Sequence, residues 1–190
     1  MSIIICTTPI DHLVGLKKKL KSRGKLIYKP NIKRLELKKI LTKNRNITKI
    51  FCNPNRQGYV LDSNILKDSS INLINTASTG LNHINLKDCK KLKIKIFSLK
   101  NNRKLIRQLP STSELAFGLM INLQRNIIQS FNSVKNKRWD YSPFIGNELA
   151  SLTIGIVGLG RLGNLMAKFA QAFGMKVFYY DPYKKTKKYK

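Results

Sequence analysis

The chain has 190 residues, 37 of them Lys or Arg and 9 Asp or Glu, for a formal net charge of +28. A hydrophobic content of 42% is enough for a packed core and excludes a disordered polyampholyte. No apolar run approaches the ~20 residues of a membrane helix, and the nearest, Leu149 to Leu162, is interrupted by glycines. The N-terminus lacks the basic region that precedes the apolar run of a signal peptide. Cys6, Cys52 and Cys89 are odd in number, far apart and outside any Cys-x-x-Cys, so neither a disulfide framework nor a metal site is expected. A reducing cytoplasm is the expected compartment.

The charge alone would point to nucleic acid. However, Lys, Ile and Asn, the residues of A/T-rich codons, make up 68 of the 190 positions, and the lysines are spread along the chain. Base composition accounts for such a pattern, and no recognition motif accompanies it. Neither nucleic acid nor a membrane is the expected partner.

In chain order, Ser2–Thr7 reads as a buried strand, and Asp11 as the cap of a helix carrying Leu13, Leu16 and Leu20 and stopped by Gly24. Lys25–Tyr28 is a second strand, closed by Pro30. Leu35, Leu37, Ile40 and Leu41 mark a helix. Lys49–Cys52 is a third strand ending in a turn at Asn53, Pro54 and Asn55. Leu61–Asp68 is a short helix, and Ile71–Asn75 and Leu92–Ser98 are further strands. This alternation predicts a parallel sheet with helices on its faces. Ser111 and Glu114 have capping-box spacing and open the longest helix, which runs to about Phe131 with Ala116, Leu119, Met120, Leu123 and Ile127 as its apolar stripe. Residues 133–150, with Trp139, Pro143 and Gly146, read as a crossover loop.

The stretch from Ser151 to Asp181 carries the chemistry. Leu152–Val157 is an apolar strand, followed by Gly158, Gly160 and Gly163 in Gly-x-Gly-x-x-Gly spacing with Arg161 and Leu162 between them. A helix with Leu165, Met166, Phe169 and Phe173 comes next, then the strand Lys176–Tyr180 with Asp181 at its tip. Strand, glycine turn, helix, strand and acid are the parts of a dinucleotide-binding unit. The first glycine makes the tight turn, the second admits a pyrophosphate close to the backbone, and the third lets the helix approach the sheet. The helix N-terminus offers free N–H groups to phosphate. Asp181 can accept from ribose hydroxyls and would repel a 2′-phosphate, which favours NAD over NADP. Lys184, Lys185, Lys187 and Lys188 follow it, and cations there can hold a 2′-phosphate, so NADP stays open.

Around this unit the residues resemble the NAD-dependent D-isomer-specific 2-hydroxyacid dehydrogenases. Trp139, the run from Phe144 to Leu149, and Leu152–Gly163 look like that family's entry into its nucleotide-binding domain. Tyr180 to Tyr183 looks like its strand-tip acid motif, and Ser111 to Glu114 like the start of its interdomain helix. Thr79 to Asn85 resembles the substrate loop of the phosphoglycerate dehydrogenase branch, with Asn85 where the family usually has Asp.

The resemblance implies an α/β protein of two domains with the active site between them. A flavodoxin-like substrate domain would occupy residues 1–110, and an interdomain helix and crossover loop residues 111–150. The first βαβ unit of an incomplete Rossmann domain would occupy residues 151–190. It implies NAD held by Gly158, Gly160, Arg161, Leu162, Gly163 and Asp181. It implies that Ser78, Thr79 and Gly80 meet the carboxylate of a small 2-hydroxy or 2-oxo acid. A homodimer through the Ser111–Phe131 helix is a further implication. The substrate stays open among 3-phosphoglycerate, glyoxylate and hydroxypyruvate. Arg56 is one of many cations able to hold a phosphate.

The family's catalytic Arg, Glu and His have no counterpart in these residues; His12 and His83 match neither the motif nor the position. The chain is therefore expected to be an N-terminal fragment without turnover of its own. The alternative is an NAD(H)-sensing or corepressor-like binding module without catalysis.

Overall fold

The computed structural model describes residues 2–54 and 57–190, so Asn55 and the phosphate candidate Arg56 lie outside the described residues. The chain divides into two compact units, the first reaching Ile106 and the second starting at Arg107.

The first unit is built on five parallel strands in the order β2-β1-β3-β4-β5: β1 (Ile3–Cys6), β2 (Lys25–Tyr28), β3 (Ile47–Cys52), β4 (Leu73–Thr76) and β5 (Lys95–Ser98). The order is that of a flavodoxin-like sheet, whose direction of winding reverses between β1 and β3. The β-branched run of β1 is buried at every position, as expected of a strand with neighbours on both sides. Helices α1 (Leu16–Lys21), α2 (Arg34–Lys43), α3 (Ser63–Leu66), α4 (Leu86–Lys91) and α5 (Arg103–Arg107) connect the strands or follow them. Ile5, Ile47, Ile50 and Ile74 meet Leu37 and Leu41 of α2 and Ile65 of α3 in one core.

Several expectations for this unit are corrected. Asp11 does not cap α1; Gly15, in the left-handed region at φ 78°, precedes that helix. Asp11 instead accepts from Lys17 Nζ and Tyr28 Oη, and Leu13 stays exposed. Helix α4 lies between the Thr79–Asn85 loop and the Leu92–Ser98 strand of the sequence reading, where no element was expected. Asn85 caps it, accepting from the Asp88 N–H at 3.1 Å. An amide oxygen serves that purpose as well as a carboxylate, so Asn at this position keeps the helix start.

The second unit contains α6 (Ser111–Arg125), α7 (Ile127–Lys135), β6 (Thr153–Val157), α8 (Arg161–Ala172) and β7 (Lys176–Tyr180). Strands β6 and β7 pair in parallel, Thr153 opposite Lys176 through Val157 opposite Tyr180. Ile156 and Val177 are buried on the face packed with Ala167 and Ala170 of α8 and Phe117 of α6. The opposite face leaves Val157 88%, Phe178 46% and Tyr180 67% exposed. The outer edge of β7 is not bare. Lys190 donates to the Val177 carbonyl and accepts from the Tyr179 N–H, the pattern of a parallel bridge opposite Phe178, and Tyr189 is buried against Tyr179.

The long helix also differs from its sequence reading. It breaks at Asn126, whose φ of 51° is left-handed, giving α6 and α7. Ser111 makes no side-chain cap, and Pro110 precedes the helix. The packed face is Ser113, Phe117, Met120 and Ile121, while Leu119, Leu123 and Ile127 are exposed. The helix is apolar on more than one face, and Phe117 wins the core through an edge contact with Phe169 and a tilted one with Phe173, at centroid distances of 5.7 and 5.0 Å.

Candidate functional site

The turn between β6 and α8 is shaped by three glycines with three different constraints. Gly158 has φ +93°, a conformation that strains any other residue, and its N–H donates to the Tyr180 carbonyl at 2.7 Å. At Gly163 a Cβ would run into the Gly158 carbonyl oxygen, so this glycine is demanded by the seating of α8 on the turn. Gly160 is under neither constraint. Its φ is negative, and a Cβ there would meet no atom within 4 Å. The space in front of Gly160 is therefore open, which leaves room for a ligand to approach the backbone. The N–H groups of Gly160, Arg161 and Leu162 find no acceptor among the described residues, as expected at the start of a helix, where they present partial positive charge.

Asp181 follows β7 and is drawn onto this turn. Its Oδ2 accepts from the Leu159 N–H at 2.6 Å, and its Oδ1 accepts from the Tyr183 and Lys184 N–H groups at 2.9 and 3.0 Å. These backbone donors, Tyr183 foremost, hold the carboxyl below the usual carboxylate range, assisted by the Lys184 charge. Lys184 Nζ donates to the Leu159 carbonyl at 3.0 Å. Asn164 Nδ2 bridges the carbonyls of Leu159 (2.7 Å) and Gly160 (3.0 Å), bracing the turn from the helix side. Arg161 points away from this role: its guanidinium donates to the Leu109 carbonyl. Leu162 is engaged through its own carbonyl, which accepts from Ser113 Oγ at 3.3 Å. The sequence reading missed Asn164, and it named Lys184 only as one of four lysines after Asp181. A polar side chain in the first turn of the helix was the available signal for Asn164. Nothing in the lysine run distinguishes Lys184 before the chain is folded.

The loop after β4 lies at the carboxyl end of the first unit's sheet, the end where ligands of doubly wound sheets bind. Ser78 Oγ donates to the Gly80 carbonyl at 2.7 Å and lies 2.9 Å from Thr76 Oγ1. Thr76 Oγ1 is in turn 2.9 Å from His83 Nε2. Thr76 and His83 are buried, and burial pulls the His83 pKa down, so the neutral ring braces the loop from beneath. The N–H groups of Thr79 and Gly80 have no acceptor among the described residues. A hollow of 230 Å³ next to the loop is lined by Pro54, Gly58, Tyr59, Val60, Asn82 and His83 together with Gly80. Asn53 Oδ1, buried just past β3, has no donor among the described residues. The cysteine thiols are buried and free, and burial pushes Cys52 up to about 12, far from a thiolate at neutral pH.

Residues 117–190 match the family model described as D-isomer specific 2-hydroxyacid dehydrogenase, NAD binding domain. D-3-phosphoglycerate dehydrogenase of Bacillus subtilis is 34% identical over 117 residues, which are 62% of this chain and 21% of that protein. Hydroxypyruvate reductase of Thermotoga maritima is 36% identical over 115 residues, 60% of this chain and 36% of that one. The chain thus spans about a fifth to a third of the length of these relatives. Among solved structures, D-lactate dehydrogenase from Aquifex aeolicus complexed with NAD and lactic acid aligns with a TM-score of 0.71 and 25% identity, over 97% of this chain and 52% of that one. A glyoxylate reductase from Paecilomyes thermophila has the same fold, with a TM-score of 0.76 at 21% identity over 97% of this chain and 57% of that one. No helix among the described residues is long and apolar enough to cross a membrane. Residues 117–190, with the glycine turn and strand-tip acid inside the match, are thus similar to the NAD binding domain of the D-isomer specific 2-hydroxyacid dehydrogenases.

Proposed function

We propose that the chain binds NAD at the β6–α8 turn and serves hydride transfer between the nicotinamide and C2 of a small 2-hydroxy acid. The observation that carries this reading is Gly160, the one motif glycine that neither backbone angle nor internal packing requires. A pyrophosphate in front of it would meet the free N–H groups of residues 160–162 and the positive end of α8. Asp181 would receive a ribose hydroxyl, and Gly158 and Gly163 keep the turn tight enough for both. Arg161 acts through its backbone, since its side chain is committed to Leu109. The nicotinamide, when bound, supplies the hydride; the residues here bind and orient the dinucleotide.

In this reading the first unit is the substrate domain. The unpaired N–H groups of Thr79 and Gly80 take the substrate carboxylate, and Ser78 fixes their direction through Gly80. The substrate is a 2-hydroxy or 2-oxo acid of the size of glyoxylate, hydroxypyruvate or 3-phosphoglycerate. The exposed Leu119, Leu123, Ile128 and Phe131 support a homodimer through α6 and α7. The free, buried cysteines support a reducing cytoplasmic setting. His12 and His83 are assigned no part in proton transfer, and the 190 residues alone are expected to bind without turnover.

Titration with NADH, read by the reduced nicotinamide's fluorescence, tests the proposal. Wild type should bind saturably, and Gly160→Val should lose at least tenfold in affinity, about 1.4 kcal/mol or more, with an unchanged melting temperature. Saturable binding by Gly160→Val equal to wild type would overturn it.

A further inference from the structure

Discrimination between the two nicotinamide dinucleotides rests on what surrounds the adenosine ribose. A free acid at the strand tip accepts from both ribose hydroxyls and repels a 2′-phosphate. Asp181 is not free in that sense. A carboxylate offers about four acceptor directions, and three are taken by backbone donors: Tyr183 and Lys184 on Oδ1, Leu159 on Oδ2. Oδ1 has no capacity left for a hydroxyl, so a two-pronged grip on the ribose diol is unavailable in this arrangement.

Lys184 stands over the same place. Its N–H is bound to Asp181, and its Nζ reaches back to the Leu159 carbonyl at 3.0 Å, across the turn that Asp181 holds from the other side. One ammonium donor is used there, and two remain. Lys184 is exposed like Lys185, Lys187 and Lys188, and what sets it apart is that its N–H is held on Asp181 and its ammonium on the Leu159 carbonyl. No acid other than Asp181 lies in the segment from Lys176 onward.

We propose that Lys184 is a specificity-determining residue that receives the 2′-phosphate of NADPH, so that the chain accepts NADPH as well as NADH. This rests on the dinucleotide reading above. On phosphate binding, the ammonium keeps its hold on Leu159 and turns its free donors to the phosphate oxygens, while the backbone donors on Asp181 moderate that acid's repulsion.

Paired titrations of wild type, Lys184→Gln and Lys184→Arg with NADH and NADPH decide the matter. Wild type should bind the two within about tenfold of each other. Lys184→Gln should weaken NADPH by about tenfold or more while NADH stays within about threefold, and Lys184→Arg should retain NADPH. Equal weakening of both dinucleotides in Lys184→Gln would make Lys184 a brace of the turn and overturn the proposal. An unchanged NADPH affinity in that variant, or a wild type that binds NADH and excludes NADPH, would overturn it as well. If wild type binds neither dinucleotide, the functional reading itself fails and the inference falls with it.

Discussion

The two units of this chain carry equally apolar strands and bury them differently. In the first, β1 is buried at all four positions, and the core runs continuously from Ile3 to Ile94. In the second, Ile156 and Val177 go into a smaller core while Val157, Phe178 and Tyr180 face outward. A run such as Thr153–Val157 therefore says that a strand belongs to a parallel sheet, where both faces are normally covered. It does not say how many of those faces these 190 residues cover themselves. Stability of the first unit follows from its own packing, whereas the second depends on a few large side chains and on a turn in which Gly158 and Gly163 cannot be replaced freely.

The difference can be broken most directly in the cores. Phe117→Ala should cost the second unit about 3–5 kcal/mol, the usual range for a buried Phe, because the ring is packed against both Phe169 and Phe173. Leu37→Ala, at a fully buried site of the first unit, should cost about 2–5 kcal/mol. Amide hydrogen exchange resolved by segment should place each loss in its own unit. Loss of protection spread evenly over both by either variant would contradict the division.

A smaller effect separates the glycines. Gly163→Val should lower the melting temperature and NADH affinity together, since the new side chain runs into the Gly158 carbonyl, whereas Gly160→Val should lower affinity alone. Equal thermal effects of the two would remove the distinction on which the functional reading stands.

How much of this was legible in the sequence varies with the kind of signal. The strand–turn–helix–strand–acid order was readable because each part has a local cause: a left-handed angle at Gly158, a close approach at Gly163, an apolar period in α8. The parallel alternation of the first unit was readable for the same reason. The orientation of α6 was not, because Leu119 and Phe117 are both apolar and only the shape of the neighbouring core chooses between them. The Ser111–Glu114 spacing gave a capping box that the fold does not make, since the helix starts one residue too early for Ser111 to stand outside it. Helix α4 was hidden by its six-residue length, although Asn85 was there to cap it. At the site, the positions of Asp181 and the glycines followed from spacing. The engagement of Asp181 by Tyr183, Lys184 and Leu159 depends on how the chain turns after β7, which spacing does not encode.

His83 gives a pH test of the loop brace. Its pKa is lowered in the folded state by burial, so the unfolded chain binds more protons below the ordinary His value of about 6.5. The first unit should lose stability as pH falls through that value and regain it above, and His83→Gln should flatten this dependence in denaturant titrations. A dependence that persists unchanged in His83→Gln would assign it to other groups. The smallest effect expected is that of Asn85→Ala, which removes the α4 cap and should cost about 0.5–2 kcal/mol, seen as faster exchange of the amides of residues 86–91.

The central claim is that the β6–α8 turn is a dinucleotide cradle, and amide-resolved NMR during an NADH titration of the 190-residue protein tests it most directly. The account predicts saturable shifts that begin at the N–H groups of Gly160, Arg161 and Leu162, include Leu159 and Asp181, and are absent in Gly160→Val. Shifts scattered over the lysine-rich surface without saturation, or none at the glycine turn, would contradict it.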